Sequence, residues 1–370
     1  MKELQTILKE AKRLREKEIP AILATVVDVQ GSSYRLPGAR MLIGEKGETF
    51  GTLSGGCLEA DVLERARKVL ENRAPEILTY DTTGKAVSVF SLNMGCNGII
   101  RILLELAKDN DFFGFVEKCF QTRKGSVVAT LIASNDKSKI GLRFFFDEFE
   151  TISKDSAAGF EQKLFADASQ VFANGHSQCQ IYETKDGTAE VFLEIINPPL
   201  NLFVFGAGFD AIPLAGFAKD LGWRVCVVDH RAAFAAPERF PDADEILVLR
   251  PENLPAKLSL DGNSAAVIMT HNYALDREIL KFLLMQSLAY IGALGPKRRT
   301  ENLLQELREE NEDFSQNRLN KLYAPVGLDI GASSPETIAL SIVAEIQSVL
   351  SNREGGFLRR QHGSIYNRQR

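Results

Sequence analysis

Phe203-Val204-Phe205 runs directly into Gly206-Ala207-Gly208-Phe209-Asp210-Ala211, and this G-x-G-x-x-A spacing suits a phosphate. The first glycine makes a tight turn, and the second lets the backbone approach a pyrophosphate. The small third residue, Ala211, lets the following helix pack closely on the sheet. The anion would rest on the N–H groups at the helix N-terminus, where the dipole favours negative charge. Asp229, about twenty residues on at the end of a second strand, stands where an acid that contacts a ribose hydroxyl falls. The plainer alternative is a loop used only for packing. Asp210 is unusual, because a carboxylate in the first turn either caps the helix and faces away or weakens anion binding.

A second set of candidate residues lies in the first hundred positions. Cys57 follows Ser54-Gly55-Gly56 at the predicted first turn of a helix, a place where the helix dipole favours thiolate. Cys96 sits in Asn93-Met94-Gly95-Cys96-Asn97-Gly98, a turn that feeds a strand. Glycines on both flanks permit close approach of a ligand to the backbone. Soft thiolates suit a soft metal or a sulfur-bearing ligand, whereas the plain reading is two small buried cysteines. A third reading has Cys57 and Cys96 meeting as a reversible disulfide in a redox or metal sensor.

Other residues carry weaker signals. His271 follows a predicted strand at the carboxyl edge where ligands of such sheets bind, and a base, a ligand contact or a structural histidine all fit. His230 and Arg231 flank Asp229. Arg35 and Arg40, beside a glycine-containing turn, are placed to neutralise an anionic ligand. Glu59 and Asp61 favour the helix after Cys57 through its dipole. Lys297-Arg298-Arg299 reads as the solvated top of a helix.

The elements that must position these residues fall into two groups. Glu3–Glu16 has the period of an amphipathic helix. Strands are predicted at Ala21–Val29, Arg40–Ile43 and Thr49–Leu53, then a helix from Cys57 to about Asn72. Further strands are predicted at Glu76–Tyr80, Ile99–Leu106, Val127–Ala133, Leu142–Phe146, Gln180–Glu183 and Glu190–Ile196. Asn197-Pro198-Pro199 is the best domain break, since prolines cannot donate to a ladder. Beyond it strands and helices alternate: Leu202–Phe205, Ala211–Leu221, Arg224–Val228, Glu245–Leu249, Ala265–Met269, Leu275–Gln286 and Tyr290–Ala293. Ser334-Pro335-Glu336 opens a last helix. The fold class is α/β: an N-terminal mixed α/β domain (1–198), then a Rossmann-like, doubly wound, mainly parallel sheet domain (199–352), then a basic tail (353–370).

Bulk properties narrow the function classes. With 370 residues, two domains are the natural expectation. A net charge of −5 counts against a nucleic-acid partner. The apolar runs fall far short of the ~18–20 residues of a membrane span, and the charged N-terminus lacks a signal-peptide core. A cytoplasmic protein without a membrane partner is expected. The five scattered cysteines show no Cys-x-x-Cys spacing, so no zinc ribbon is indicated.

Gly38-Ala39-Arg40-Met41, Ser54-Gly55-Gly56-Cys57-Leu58-Glu59 and Gly95-Cys96-Asn97-Gly98 resemble the N-terminal domain of the XdhC/CoxI family. The glycine loop with Val228-Asp229-His230-Arg231, Thr270-His271-Asn272, Tyr290-Ile291-Gly292 and Pro325–Gly331 resembles that family's C-terminal Rossmann domain. The chain departs from the family pattern at Phe209, where His is usual, at Asn97 and at Asn272. The resemblance implies a xanthine dehydrogenase accessory factor, closer to a chaperone than a catalyst and often dimeric. Such a factor binds the molybdenum cofactor, as molybdopterin or its cytosine dinucleotide form. It helps the cofactor acquire sulfur from a cysteine desulfurase and delivers it to a molybdenum hydroxylase apoenzyme such as xanthine dehydrogenase. On this basis Cys57 and Cys96 contact the cofactor or its metal, while Gly206, Gly208 and Ala211 hold its phosphate. Gly55, Gly56, Gly95, Arg40, Asp229 and His271 complete the expected contacts. The glycine loop and Asp229 taken alone imply the main rival, an NAD(P)-dependent oxidoreductase.

Overall fold

In a computed structural model, the chain is described for residues 1–82, 98–107, 111–147, 160–185, 187–310, 312, 314–360 and 362. It divides into two units, one from Glu3 to Pro198 and the other from Pro199 onward.

The first unit holds α1 (Lys2–Glu16), β1 (Ala21–Gly31), β2 (Arg40–Gly44), β3 (Thr49–Gly51), α2 (Glu59–Asn72), β4 (Glu76–Asp81) and β5 (Gly98–Leu106). It continues with α3 (Phe112–Thr122), β6 (Ser126–Ser134), β7 (Arg143–Phe146), α4 (Phe160–Asn174), β8 (Gln178–Thr184) and β9 (Gly187–Ile196). Its strands form two antiparallel sheets, ordered β3-β2-β1-β5-β4 and β7-β6-β9-β8. Residues Ala21–Val27 of β1 are all buried, so the strand reads as a continuous apolar run instead of alternating. One face of this strand, Ile22, Ala24 and Val26, packs with Val62, Ala66 and Val69 of α2. The other face presents Leu23 to Ile7 and Leu14 of α1 and to Phe112 and Val116 of α3.

Two helices here have no counterpart among the elements expected from sequence. Helix α3 is rich in phenylalanine, a residue with strand preference, yet Phe112, Val116 and Cys119 share one buried face at helical spacing. In α4, Leu164, Ala168 and Val171 do the same against Val127, Ala129, Val191 and Leu193 of the second sheet.

The second unit holds β10 (Asn201–Phe205), α5 (Ala211–Asp220), β11 (Arg224–Asp229), β12 (Glu245–Val248), α6 (Leu254–Lys257), β13 (Ser264–Ile268) and α7 (Tyr273–Leu284). Then come β14 (Tyr290–Ala293), α8 (Lys297–Glu309), α9 (Gln316–Leu319), β15 (Leu322–Tyr323) and α10 (Pro335–Leu350). All six strands are parallel, in the order β12-β11-β10-β13-β14-β15. Counted within the unit, this is the doubly wound Rossmann order, with the direction of winding reversing between β10 and β13. Alternation along β10 explains the two layers. Leu202 and Val204 face α5 and α10, while Phe203 and Phe205 face α7 and α8.

Candidate functional site

The loop from β3 into α2 is organised by one carboxylate. Glu59 accepts hydrogen bonds from Ser54 N–H (2.8 Å), Thr52 Oγ1 (2.9 Å), Leu58 N–H (3.1 Å), Leu53 N–H (3.3 Å) and the Ser54 hydroxyl. Ser54 Oγ in turn accepts from Gly56 and Leu58 N–H, both at 3.2 Å. Burial pushes the Glu59 carboxyl up, but the Ser54 and Thr52 donors outweigh it and hold the group at about 2. Gly56 adopts φ 109, a conformation that favours glycine. The expected dipole role for Glu59 understates it; five donors converge on this acid, and the loop's shape depends on them. Its sequence signal is an acid five residues after a serine, which reads equally well as an ordinary first-turn residue.

Cys57 is exposed on this loop, directly before the N-cap Leu58, so it lies outside the first turn where it was expected. The side-chain space at Gly55 and Gly56 is open, with nothing among the described residues within 4 Å of a Cβ built at either. Cys119 and Cys226 are buried and Cys179 is half-buried. Burial pushes the Cys179 and Cys226 thiols up to about 12, which leaves them inert. Gly95 and Cys96 lie outside the described residues. Among the described residues, no group of three or more His, Cys, Asp or Glu side chains is arranged to hold a metal.

Arg40, expected near an anionic ligand, is engaged by an internal carboxylate. It is only 5% exposed and forms a two-pronged pair with Glu194, with Nη1 to Oε1 at 2.7 Å and Nη2 to Oε2. Nη1 also donates to Gly38 O at 2.8 Å, and the guanidinium lies 4.1 Å from the Phe112 ring centre. A buried guanidinium requires such a partner. Arg143 pairs with Glu105, and Arg101 with Glu190, in the same manner. These three pairs stitch the two antiparallel sheets together. Arg35 is engaged by Glu3 at 2.7 Å.

In the second unit, the glycine loop leaves β10 at the reversal point of the sheet. Gly206 stands at φ 110, and a Cβ there would collide with the Met269 carbonyl. Its N–H donates to Val228 O at 2.8 Å. Asp229 braces the loop from below. Its carboxylate accepts from Ala207 N–H (2.8 Å), Arg231 N–H (2.9 Å), Arg231 Nη2 (2.8 Å) and Arg231 Nε (3.0 Å). Burial pushes this carboxyl up, and the Arg231 guanidinium with the two backbone donors overrides that and holds it at about 2. With a side chain 2% exposed and four donors already in place, Asp229 acts here as a brace of the loop.

Arg239 carries no signal in the sequence. Its Nη1 donates to Ala207 O (2.7 Å) and Phe234 O (2.9 Å), clamping the loop from its other side. The guanidinium lies within cation–π range of Phe209 (5.2 Å), Phe234 (5.0 Å) and Phe240 (5.7 Å). Phe209, at the loop tip, is 77% exposed. Its partner residues arrive some thirty positions later, so no local pattern marks them.

Gly208 is followed by a carboxylate that turns back onto it. Asp210 Oδ1 lies 2.6 Å from where a Gly208 Cβ would stand, and Asp210 makes no side-chain bond to the helix N–H groups. Its Oδ2 accepts from His271 Nε2 at 2.7 Å. His271 holds φ 58 and its side chain is 63% exposed. Asn272 is the N-cap of α7, accepting from Leu275 N–H at 3.2 Å, which gives this residue a structural role. Arg299 is paired with buried Asp276 at 2.6 Å and is not a freely solvated helix top. No described helix is long and apolar enough to cross a membrane.

Each of these two loops lies in a segment matched by a family model. Residues 14–81 match the model of the XdhC and CoxI family, and residues 202–346 match the XdhC Rossmann domain. A Bacillus subtilis protein described as a probable subunit of xanthine dehydrogenase is 34% identical over 90% of this chain and 94% of its own length. The Escherichia coli molybdenum cofactor insertion chaperone PaoD is 24% identical over 90% of this chain and 85% of its own. A crystal structure described as a xanthine dehydrogenase from Bacillus halodurans superposes with a TM-score of 0.75 at 33% identity, covering 94% of this chain and 96% of that one.

Proposed function

The chain belongs to the XdhC and CoxI family, and from that premise we propose that it is an accessory maturation factor for a xanthine dehydrogenase-type molybdenum hydroxylase. It binds the molybdenum cofactor, supports its sulfuration and supports its insertion into the apoenzyme. The observation that carries this reading is Cys57, an exposed thiol on a pre-shaped loop in a chain whose other described cysteines are buried or half-buried. The relative described as a molybdenum cofactor insertion chaperone supports the same assignment.

The residues present fit the group. An accessible thiol beside two open glycines suits a soft metal centre. The glycine loop supplies helix N-terminal N–H groups suited to a phosphate. Arg239, against that loop, keeps a buried Nη2 with no hydrogen-bond partner. When bound, the cofactor supplies a molybdenum centre able to carry a terminal sulfur. The chain's own work is to hold and shield. In the first unit Cys57 would be the metal-side contact, on a loop that Glu59 keeps in shape; in the second, Gly206–Ala211 would seat a phosphate. Cys96 is assigned alongside Cys57 by the family resemblance. The sulfur source is a cysteine desulfurase, the cofactor is molybdopterin or its cytosine dinucleotide form, and the factor works in the cytoplasm as a homodimer.

The NAD(P)-dependent oxidoreductase reading is weakened because Asp229, the acid that would contact a ribose hydroxyl, is already held by four donors. The test is anaerobic retention of isolated molybdenum cofactor by the purified protein, with NAD(H) and NADP(H) titrated in parallel. Retention that is lost in Cys57→Ser supports the delivery factor. Tight nicotinamide binding with no retained cofactor would overturn it.

A further inference from the structure

The second glycine of a dinucleotide-type loop exists to leave a gap through which a pyrophosphate can approach the backbone. In this chain the gap is filled from within. Asp210 Oδ1 stands 2.6 Å from the position a Gly208 Cβ would take, and the carboxylate is 15% exposed. An aspartate at this position ordinarily serves as a helix cap, yet Asp210 bonds none of the helix N–H groups. It turns instead toward His271, whose Nε2 holds Oδ2 at 2.7 Å. His271 comes from the loop after β13, the strand across the reversal point from β10, and reaches Asp210 from a left-handed backbone conformation uncommon outside glycine. Of the other charges around the loop, Asp229 is committed to Arg231, and Arg239 gives Nη1 to the Ala207 and Phe234 carbonyls while its buried Nη2 has no partner among the described residues.

We propose that Asp210 is a built-in anion of the glycine loop, latched by His271, and that it governs which anions the loop admits. The proposal rests on the reading of this loop as a phosphate seat. Two anions do not share one small seat without strong repulsion. An entering phosphate therefore displaces the Asp210 carboxylate, and His271, released from it, becomes a donor to the newcomer. A free inorganic anion lacks the further contacts needed to drive that exchange. A larger ligand, with a planar ring to lay against the exposed Phe209 backed by Arg239, brings them. Asp210 is thus a specificity residue that discriminates against bare phosphate.

The test is calorimetric titration of the full chain with inorganic pyrophosphate at low salt, for wild type, Asp210→Asn, Asp210→Ser and the double variant Asp210→Asn/His271→Ala. Asp210→Asn keeps the shape and removes the charge, and should bind pyrophosphate at least about tenfold tighter than wild type. The double variant should bind at least about threefold more weakly than Asp210→Asn, because the freed His271 supplies a donor that alanine lacks. A purely structural Asp210 predicts a loss or no change, so equal affinities in wild type and Asp210→Asn overturn the latch. So does a failure of both to bind. Asp210→Ser carries the same expectation should the Asn variant unfold. Cofactor retention by wild type with no gain in Asp210→Asn sinks the latch alone. A gain in Asp210→Asn with no cofactor retained by either protein sinks the delivery reading alone.

Discussion

Two glycine loops of this chain are built on the same device and put to opposite states. Each is shaped by a carboxylate that collects backbone and side-chain donors, Glu59 for the loop at Ser54–Leu58 and Asp229 for the loop at Gly206–Ala211. Each of those acids is held at about 2 by its donors. The first loop is open, with its thiol in solvent and free space at both glycines. The second is closed, because Gly206 is pressed against the Met269 carbonyl and Asp210 covers Gly208. Glycine therefore means different things in the two places. In one it is an absence of walls, and in the other a fit that only a hydrogen atom satisfies.

That contrast can be broken by substitution, and the largest effect is expected at Gly206. Gly206→Ala combines a positive φ with a backbone collision and should destabilise the second unit by roughly 2–4 kcal/mol in denaturant titration. A loss under about 1 kcal/mol would mean the loop relaxes and is not sterically closed. Asp229→Asn comes next, at about 2 kcal/mol near neutral pH, since the folded carboxyl is held at about 2 against an ordinary value of 3.8. The sign follows from that depression. The contribution is complete above the unfolded value and drains away as pH falls from about 5 toward 2, so the variant should show a flatter acid limb in thermal melts. A limb as steep as wild type would remove Asp229 from the account.

Glu59→Gln should follow the same pH direction with a smaller loss, of order 1 kcal/mol, because this acid is part-exposed and solvent screens it. Its more telling readout is proteolytic nicking at Gly55–Cys57, expected to rise in the variant while the second unit keeps its melting behaviour. Gly55→Ala should be nearly silent, within about 0.5 kcal/mol, since the added methyl meets open space. A large loss there would show that the first loop is closed after all, and the contrast would collapse.

Much of the second unit is legible in the residues. Its strands alternate with helices over short local stretches, and the G-x-G-x-x-A loop sits between a strand and a helix as expected. Both properties depend on near neighbours. Less of the first unit is legible. Its helix at Phe112–Thr122 is built on phenylalanines with strand preference and is helical because one face is buried, whereas Phe160–Asn174 sets Leu164, Ala168 and Val171 at helical spacing among good helix formers, a signal present in the sequence. At the candidate sites, Cys57 and the glycine loop are recognisable from type and spacing. The internal partners of Arg40 and Asp229, two residues expected at ligands, could not be read from the sequence.

The division has a physical cause. Sequence alone determined the periodicity of the elements, the turn that demands Gly206, and the presence of a thiol next to two glycines, because backbone sterics and side-chain alternation act over a few residues. Tertiary structure decided which charges are spent on the fold and which remain for a ligand. Arg40 meets Glu194 across 154 positions, and Asp210 meets His271 across 61. A buried or crowded charge takes whichever opposite group the packed chain brings to it. That choice is made by the fold as a whole, and it is what opens one glycine loop and fills the other.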